Sequence, residues 1–239
     1  MGTYSFFIDI TNDELVAQCA GFFLAGYDTT ATTLTMASYL LAINPDKQDK
    51  LYNEISAIIN KLIEEAGPDG PKDSVELITF DSLPRFEYLT AVINESLRLY
   101  APATFIEREA SKDMTIQKED GTCKINLKKK DVIQFPVYSM HRDPEQFPDP
   151  ESFKPERFLG EPTFHKYAYI PFGSGPRSCI ARSLALLEAK MALLHTIRQY
   201  KLSVSSKTKV YKTKILTLYN CLFVFLYYRF HQNFIFKLN

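Results

Sequence analysis

The sequence predicts a mainly α-helical protein with a small β region. Long stretches place apolar residues three and four positions apart, which is typical of amphipathic helices. Short alternating runs occur between residues 103 and 137, so the predicted strands are confined to one segment. The chain has 239 residues, 46% of them hydrophobic, and can bury a substantial core. Its 28 basic and 28 acidic residues balance, which argues against a nucleic-acid-binding protein.

The first predicted helix begins at a capping box. Thr11 stands at the N-cap position, and Glu14 follows three residues later. A mostly apolar stretch of about thirty residues continues until Asn44-Pro45 stops it. Because apolar residues lie on nearly every side of this helix, we expect it to be buried along its length.

Three further helices are predicted. The second begins at Pro45 and ends at Gly67-Pro68, and the third runs from just after Pro84 to about Tyr100. The last covers about residues 180–199. The apolar positions with helical spacing are Leu51, Ile55, Ile58, Ile59 and Leu62 on the second helix, Leu89, Ile93 and Leu97 on the third, and Ile180, Leu184, Leu187, Met191 and Leu194 on the last.

The β region lies between the third and the last helix. The runs "TFIERE", "MTI", "CKINL" and "VIQFPVY" are interpreted as short strands, with a turn at Asp120-Gly121. A proline-rich polar loop, "HRDPEQFPDPESFKPERF", follows over residues 141–158. It leads to a glycine-rich segment, "PFGSGPRSCIA", over residues 171–181, which we call the cysteine loop.

Composition divides the chain into a domain over residues 1–206 and an atypical tail over residues 207–239. The tail contains no Gly, Pro, Ala, Asp or Glu, and we interpret it as non-native sequence, such as translated non-coding sequence, or as disordered. Its apolar run, Ile215 to Tyr228, has 14 residues, whereas a membrane-spanning helix needs about 20. The chain also opens without the apolar run of a signal peptide. We therefore expect no membrane anchor in this chain, although a divergent tail anchor is a less favoured alternative.

The cysteines indicate a reducing compartment. The chain has four, Cys19, Cys123, Cys179 and Cys221, which are widely separated and form no CxxC pair. This spacing argues against a disulfide framework and against a structural zinc site.

The cysteine loop carries the first chemical signal. Gly173 and Gly175 allow tight turns and the close approach of a flat ligand. Cys179 stands just before a predicted helix, where free backbone N–H groups favour the thiolate form of a cysteine. A lone cysteine after a turn is more often a buried structural residue. The long spacing F-x-x-G-x-R-x-C, formed by Phe172, Gly175, Arg177 and Cys179, favours a functional interpretation.

With this spacing the sequence resembles the cytochrome P450 family of haem-thiolate monooxygenases. The resemblance implies that Cys179 is the axial ligand of the iron in haem b (iron protoporphyrin IX) and that Arg177 pairs with a haem propionate. Phe172 and Gly175 would complete the cofactor-binding loop. Members of the family usually have glycine where this chain has Ala181, and we expect the added methyl group to be tolerated.

A second motif, "NESLRLYAP", places Glu95 and Arg98 three residues apart on the third helix. By itself such a pair is usually an exposed ion pair of small energetic value. In the family, an E-x-x-R pair closes a buried network with an arginine from a later "PERF" segment, which corresponds here to Arg157. The resemblance therefore implies a structural network of Glu95, Arg98 and Arg157 that holds the 141–158 loop, which we call the meander.

A third motif, "AGYDTTATT", lies in the middle of the first helix. Gly26 and the neighbouring threonines weaken a helix at this point, and close packing of helices against small residues would explain that choice. The motif also resembles the family's oxygen-activating segment. That resemblance implies a distorted turn over the haem, in which Asp28 and Thr29 deliver protons to the active site.

Two further residues are candidates by position. Arg108 in "TFIEREA" resembles an arginine that contacts a haem propionate, although an exposed strand arginine is an equally simple explanation. His141 in "HRDP" occupies a loop position at which the family often has histidine, and a contact with the haem edge is a weaker alternative for it.

The motifs occur in the family's order over residues 11–200, and they resemble the C-terminal half of an animal microsomal member. The implied fold comprises a long central helix, the E-x-x-R helix, the meander, and the cysteine loop with its helix. The implied function is insertion of one oxygen atom of O₂ into an apolar organic substrate, with electrons from an NADPH-dependent flavoprotein reductase. Full-length relatives would be anchored in the endoplasmic reticulum membrane. A non-catalytic fragment and, less favoured, a peroxide isomerase on the same fold remain alternatives.

Overall fold

The computed structural model describes residues 10–71, 75–118, 120–205, 208 and 235–238. Apart from residues 208 and 235–238, the tail predicted over 207–239 lies outside the described residues. Within the described part of the chain, no helix is both long enough and apolar enough to cross a bilayer.

Helix α1 spans Asn12–Ile43 and begins where the capping box predicts. The Glu14 backbone N–H donates to the Thr11 hydroxyl at 3.3 Å, and the Thr11 N–H donates to the Glu14 carboxylate at 2.9 Å. At the other end, the side-chain amide of Asn44 donates to the Leu40 carbonyl at 2.8 Å. These bonds satisfy backbone groups that the ends of a helix otherwise leave without partners.

The expectation that α1 is buried along its length is wrong for its N-terminal half. All the buried residues of α1 lie from Thr30 onward, where the helix packs against the other helices. Before that point large apolar side chains face solvent, and Phe23 and Tyr27 are 71% and 68% exposed. An apolar pattern on every side of a helix indicates that the helix can be buried. Burial also requires another part of the structure to pack against it.

Helices α2 and α3 follow the predicted boundaries. Helix α2 spans Pro45–Ala66, and Gly67 ends it with a φ of 68°, a conformation that glycine adopts without strain. Helix α3 spans Glu87–Leu99 and is preceded by a single 3₁₀ turn at Leu83–Arg85. Among the predicted apolar positions, those that are buried on these two helices are Leu51, Ile55, Ile59, Leu89, Ile93 and Leu97.

The N-terminus of α3 is capped by a side chain from α2. The backbone N–H groups of Tyr88 and Leu89 donate to the two carboxylate oxygens of Glu54 at 2.6 and 3.0 Å. Burial of this carboxyl raises its pKa, and the two backbone hydrogen bonds act in the opposite direction. Glu54 therefore fixes the start of α3 relative to α2.

Two small antiparallel sheets form the β region. Strand β1 (Ile106–Glu109) pairs with β4 (Val132–Phe135), while β2 (Met114–Gln117) pairs with β3 (Lys124–Leu127) across the predicted turn, where Gly121 has a φ of 73°. The predicted strand "VIQFPVY" is wrong after Phe135. Pro136 has no N–H to donate to a partner strand, and the chain turns into the short helix α4 (Val137–Met140).

Helix α5 spans Arg182–Gln199 and leads into β5 (Tyr200–Ser203), which pairs with β6 (Ile235–Leu238). The predicted apolar face of the last helix is exposed at its start: Ile180 lies just before α5 and is 85% exposed, and Leu184 in the first turn is 62% exposed. The buried residues of α5 lie nearer its C-terminal end, where the helix contacts α1, α2 and α3, and they are Ala189, Leu193, Leu194 and Ile197. The main core therefore lies between the C-terminal halves of α1 and α5 and the helices α2 and α3.

The Glu54 cap generates a stability prediction. Replacement Glu54→Ala leaves two N–H groups of α3 without their acceptors, so we expect the free energy of unfolding to fall by about 1–2 kcal/mol. The measurement is urea unfolding followed by far-UV circular dichroism. Glu64→Ala on the same helix, at an exposed position, is the control and should change the unfolding midpoint little. Equal losses in both variants would contradict the cap.

Candidate functional site

A buried ion pair lies at the centre of the candidate site. Both side chains, Glu95 and Arg98 of α3, are 0% exposed. The Nε of Arg98 donates to Oε2 of Glu95 at 2.7 Å, and its Nη2 donates to Oε1 at 2.9 Å. This bidentate geometry is the strongest arrangement between a guanidinium and a carboxylate, and at this site no water competes with it.

The remaining polar atoms of the pair bind the backbone of the meander. Arg98 donates from Nη1 to the His141 carbonyl at 2.9 Å and from Nη2 to the Ser152 carbonyl at 3.2 Å. The Lys154 N–H donates to the Glu95 carboxylate at 2.9 Å. Two segments of the meander, far apart in the sequence, are therefore tied to one point on α3. Burial of this charged pair is tolerated because its hydrogen-bonding capacity is used.

The structure also brings Arg157 to this pair. The Nε of Arg157 lies 3.4 Å from the Glu95 carboxylate, and its side chain is 11% exposed. The Nη2 atom donates to the Asp149 carbonyl at 2.8 Å, so Arg157 closes the meander on itself. Three residues that the sequence analysis grouped, Glu95, Arg98 and Arg157, therefore lie together.

The neighbouring Glu156 attaches the same segment to α2. Its carboxylate accepts from Lys50 at 2.8 Å and from Lys47 at 3.3 Å, and from the Tyr88 hydroxyl of α3 at 3.3 Å. Partial burial by itself would raise the pKa of Glu156, but the hydrogen bonds and the positive charges of the two lysines lower it to about 2. The sequence analysis did not identify this contact, because lysines 106 and 109 residues away in the sequence give no local signal.

His141 connects the meander to the cysteine loop. Its side chain is buried, and its Nε2 accepts a hydrogen bond from the Ile170 backbone N–H at 3.0 Å. Burial, together with the positive charges of Arg98 and Arg142, lowers the pKa of His141 from 6.5 to about 4. The imidazole is therefore neutral near pH 7. The weaker alternative for this residue, a contact with the haem edge, does not describe its observed environment, which is the packed interior beside Tyr169.

The cysteine loop is held by its own backbone. The Gly173 N–H donates to the Ile170 carbonyl at 3.0 Å, and the Cys179 N–H donates to the Phe172 carbonyl at 2.8 Å. Gly173 and Gly175 have φ values of 72° and 77°, a conformation that few residues other than glycine adopt. A Cβ at Gly175 would meet no atom within 4 Å, so the loop surface at this point is open.

Cys179 is exposed and forms no disulfide, and it stands two residues before the N-cap of α5. That N-cap is Ala181, whose φ of −92° is accessible to any residue. The backbone at this position therefore does not require glycine. No side chain caps α5, so the N–H groups of its first turn remain available beside the thiol.

The other loop residues divide between solvent and core. Arg177 is exposed and has no hydrogen bond or ion pair with the described part of the chain. Phe172 is partly buried against the core, and the Arg182 guanidinium lies 5.7 Å from the centre of its ring. The loop therefore presents a thiol and a guanidinium outward while its aromatic residue anchors it.

Asp28 and Thr29 lie on the exposed half of α1. The distorted turn expected here is wrong, because α1 is continuous α-helix from Asn12 to Ile43. The Thr29 hydroxyl donates to the Ala25 carbonyl at 2.7 Å, and the Thr33 hydroxyl donates to the Thr29 carbonyl at 2.9 Å. Such bonds let threonine remain in a helix without breaking it. Within the described residues, no hydrogen bond or ion pair joins Asp28 or Thr29 to the cysteine loop.

Arg108 stands in β1 opposite Ile133 of β4 and is half-buried. Its Nη1 donates to the carbonyl of the preceding residue, Glu107, at 2.7 Å. The structure does not bring Arg108 into hydrogen-bond contact with Arg177 or Cys179 within the described part of the chain.

Comparison with known proteins places the chain among cytochromes P450. The family model for cytochrome P450 matches residues 8–223. Cytochrome P450 9e2 of Blattella germanica is 40% identical over 83% of this chain, and cytochrome P450 9c1 of Drosophila melanogaster is 38% identical over 84%. Cytochrome P450 3A29 of Sus scrofa is 38% identical, also over 84% of the chain. The chain spans 35% to 37% of the length of these relatives.

The buried ion pair generates the second prediction. Replacement Glu95→Gln keeps the shape of the side chain but leaves the Arg98 guanidinium buried without its counter-charge. We expect the free energy of unfolding to fall by about 3–5 kcal/mol in urea unfolding.

The control for this prediction is a similar bidentate pair at the surface. Arg85 donates to Glu65 at 2.7 and 2.8 Å, and the Glu65 side chain is 60% exposed. Glu65→Gln should change stability little, because water solvates both partners after the charge is lost. If Glu65→Gln and Glu95→Gln destabilise the protein equally, burial of the Glu95–Arg98 pair does not have the structural weight assigned to it.

The third prediction concerns pH. Between pH 6.5 and about 4 the unfolded chain binds a proton at His141 that the folded protein excludes. The free energy of unfolding should therefore be unaffected by this residue above pH 6.5 and should fall, by up to about 3 kcal/mol, as the pH decreases through this window. Urea unfolding at a series of pH values measures the slope. His141→Gln cannot titrate and should lack this component, and parallel profiles for both proteins would contradict the prediction.

Proposed function

Because the chain belongs to the cytochrome P450 family, we propose that it carries the haem-thiolate portion of a monooxygenase. The proposed reaction inserts one oxygen atom of O₂ into an apolar organic substrate, with electrons from an NADPH-dependent flavoprotein reductase. The observation that carries this proposal is Cys179, an exposed, unpaired thiol in a loop whose backbone is fixed at both ends of the F-x-x-G-x-R-x-C spacing.

The residues of the cysteine loop fit haem b. Cys179 offers one exposed thiol, two residues before the N-cap of α5, where a metal can reach its sulfur atom. Gly175 leaves open the space that a Cβ would occupy, and Arg177 offers an unpaired guanidinium suited to a propionate. No cluster of three or more His, Cys, Asp and Glu side chains within the described residues could hold a bare metal ion, so a single thiol suits a metal that brings its other ligands.

Each residue has a distinct role in this proposal. Haem with a thiolate ligand, when bound, supplies the chemistry of O₂ activation, because the thiolate favours O–O cleavage. Cys179 Sγ holds the cofactor, Arg177 orients it through a propionate, and Phe172 and Gly175 shape the loop beneath it. Arg108 is proposed as a second partner for a propionate, which requires its guanidinium to exchange the Glu107 carbonyl for that anion.

Asp28 and Thr29 are proposed to move protons. The Thr29 Oγ1 donates to the Ala25 carbonyl and retains lone pairs that can accept a hydrogen bond, and a relay requires its hydroxyl proton to turn from that carbonyl to the proton acceptor as Oγ1 takes up another proton. The Asp28 carboxyl, one residue away on the exposed face of α1, is the proton source. The presence of both groups favours the monooxygenase over a peroxide isomerase, which needs no such relay.

We further propose that residues 1–206 form part of a haem domain and that the chain alone holds haem weakly. Large exposed apolar side chains on α1, among them Phe22, Phe23, Leu24 and Tyr27, support this view, because such a surface is normally covered. The atypical tail over 207–239 is proposed to lie outside that domain, except for Ile235–Leu238, which pairs with β5. For the full-length relatives we propose a location at the endoplasmic reticulum membrane.

The test of this function is spectroscopic. The chain is reconstituted with haem, reduced and exposed to carbon monoxide, and the Soret band is recorded. We expect a band far to the red of an imidazole-ligated species, because the thiolate changes the electronic structure of the iron. Cys179→Ala should abolish that band.

Two matched controls separate ligation from general loss of thiols. Cys19→Ala and Cys123→Ala remove exposed cysteines elsewhere in the chain and should leave the band unchanged. If Cys179→Ala gives the same spectrum as the unaltered chain, Cys179 is not the ligand. If haem titration shows no specific binding to any of these proteins, the non-catalytic fragment is the better interpretation.

A further inference from the structure

His141 occupies a position that no motif of the site explains. Its backbone carbonyl accepts from Nη1 of Arg98 at 2.9 Å, and its Nε2 accepts from the Ile170 N–H at 3.0 Å. One residue therefore contacts the buried ion pair with its main chain and the start of the cysteine loop with its side chain. We propose that His141 is a positioning residue, which transmits the geometry of the Glu95–Arg98 pair to the loop that carries Cys179.

The path from α3 to the thiol consists of successive backbone attachments. Beyond His141, the Ile170 carbonyl accepts from the Gly173 N–H at 3.0 Å, and the Phe172 carbonyl accepts from the Cys179 N–H at 2.8 Å. The intervening residues belong to turns and a single 3₁₀ turn at Gly175–Arg177, without a sheet or long helix to hold them. The Ile170 N–H is therefore the attachment to His141 at the N-terminal side of the loop, while Phe172 packs against the core and α5 follows at the other end.

The tautomer of His141 supports an acceptor role. Only a ring nitrogen without a proton can accept, so Nε2 is unprotonated and the proton of the neutral ring lies on Nδ1. The Nδ1 atom is buried and has no hydrogen-bond partner within the described part of the chain. An unsatisfied buried N–H costs free energy, and the hydrogen bond that Nε2 accepts from Ile170 offsets part of that cost.

Tyr169, the residue before Ile170, forms a second attachment to α3, and its ring orients the imidazole ring of His141. The Tyr169 ring packs against the His141 ring with centroids 5.2 Å apart, and the Tyr169 hydroxyl donates to the Asn94 carbonyl of α3 at 2.9 Å. Segment 169–170 is thus fixed to α3 directly and through His141. Loss of the His141 acceptor leaves the hydrogen bond between Tyr169 and Asn94 intact. It frees the N–H of Ile170, the residue immediately before the cysteine loop.

The test compares three variants of the full 239-residue chain. His141→Phe keeps an aromatic ring without an acceptor, and His141→Gln places an amide oxygen within reach of the Ile170 N–H. Leu193→Ala, in the core of α5, lowers stability without touching this path. Hydrogen exchange of the peptides that cover residues 170–179 is measured in the cofactor-free chain, at urea concentrations that equalise global stability.

We expect loop amides to exchange about tenfold or more faster in His141→Phe than in His141→Gln or Leu193→Ala, because the opening is local. Equal loop exchange in His141→Phe and Leu193→Ala, or no protection in His141→Gln, overturns the proposal. If His141→Phe does not fold, His141→Asn replaces it, since its shorter side chain cannot reach Ile170.

The significance of this positioning rests on the proposed function, and a haem measurement connects the two. After reconstitution, the fraction of the red-shifted carbon monoxide band should fall in His141→Phe and recover in His141→Gln. If hydrogen exchange changes as expected but Cys179→Ala leaves the carbon monoxide band unchanged, the positioning role stands and the proposed function is refuted. A thiolate band that depends on Cys179, together with unchanged loop exchange in His141→Phe, would refute the positioning role alone.

Discussion

A bidentate ion pair between Glu95 and Arg98, removed entirely from solvent, is the constraint on which the rest of the site depends. Two opposite charges in a low-dielectric interior are stable only while each remaining donor and acceptor finds a partner. Here those partners are the carbonyls of His141 and Ser152 and the N–H of Lys154. The requirement works in both directions, because the pair is buried only while it binds the meander, and the meander is held against α3 by the same hydrogen bonds.

The meander illustrates how a chain without regular secondary structure can be well defined. Many of its backbone groups bond to one another in turns and in the 3₁₀ turn at Pro155–Phe158, and side chains from α3 and from the meander itself bind further ones. Arg98 and Glu95 act from outside, while Arg157 binds the Asp149 carbonyl from within. Glu156 then joins the segment to Lys47 and Lys50 of α2. The result is an irregular segment that is fixed at several separated points.

Sequence patterns predicted the features that depend on local chemistry. The capping box at Thr11, the proline at position 45 and the positive φ of Gly67 each act within a few residues, and the helix ends lie where these signals predict. Predictions failed where the answer depends on distant residues. The exposed start of α5 and the exposed half of α1 have helical apolar patterns, but burial depends on whether another element lies against them. For the site, the spacing of Glu95 and Arg98 indicated a pair, whereas only the structure shows which atom of His141 accepts from which N–H.

The contrast between a rigid support and an open thiol follows from these contacts. The backbone of the cysteine loop is satisfied by Ile170, Phe172 and Gly175, so Cys179 can be exposed without leaving buried polar groups unpaired. Exposure of Phe23 and Tyr27 on α1 is different, because large apolar side chains gain free energy when they are covered. The haem proposed above would bind at the Cys179 thiol. Such a ligand stabilises the folded protein in proportion to the logarithm of its concentration relative to its dissociation constant. Since the loop is already organised without it, binding energy is not spent on ordering the thiol.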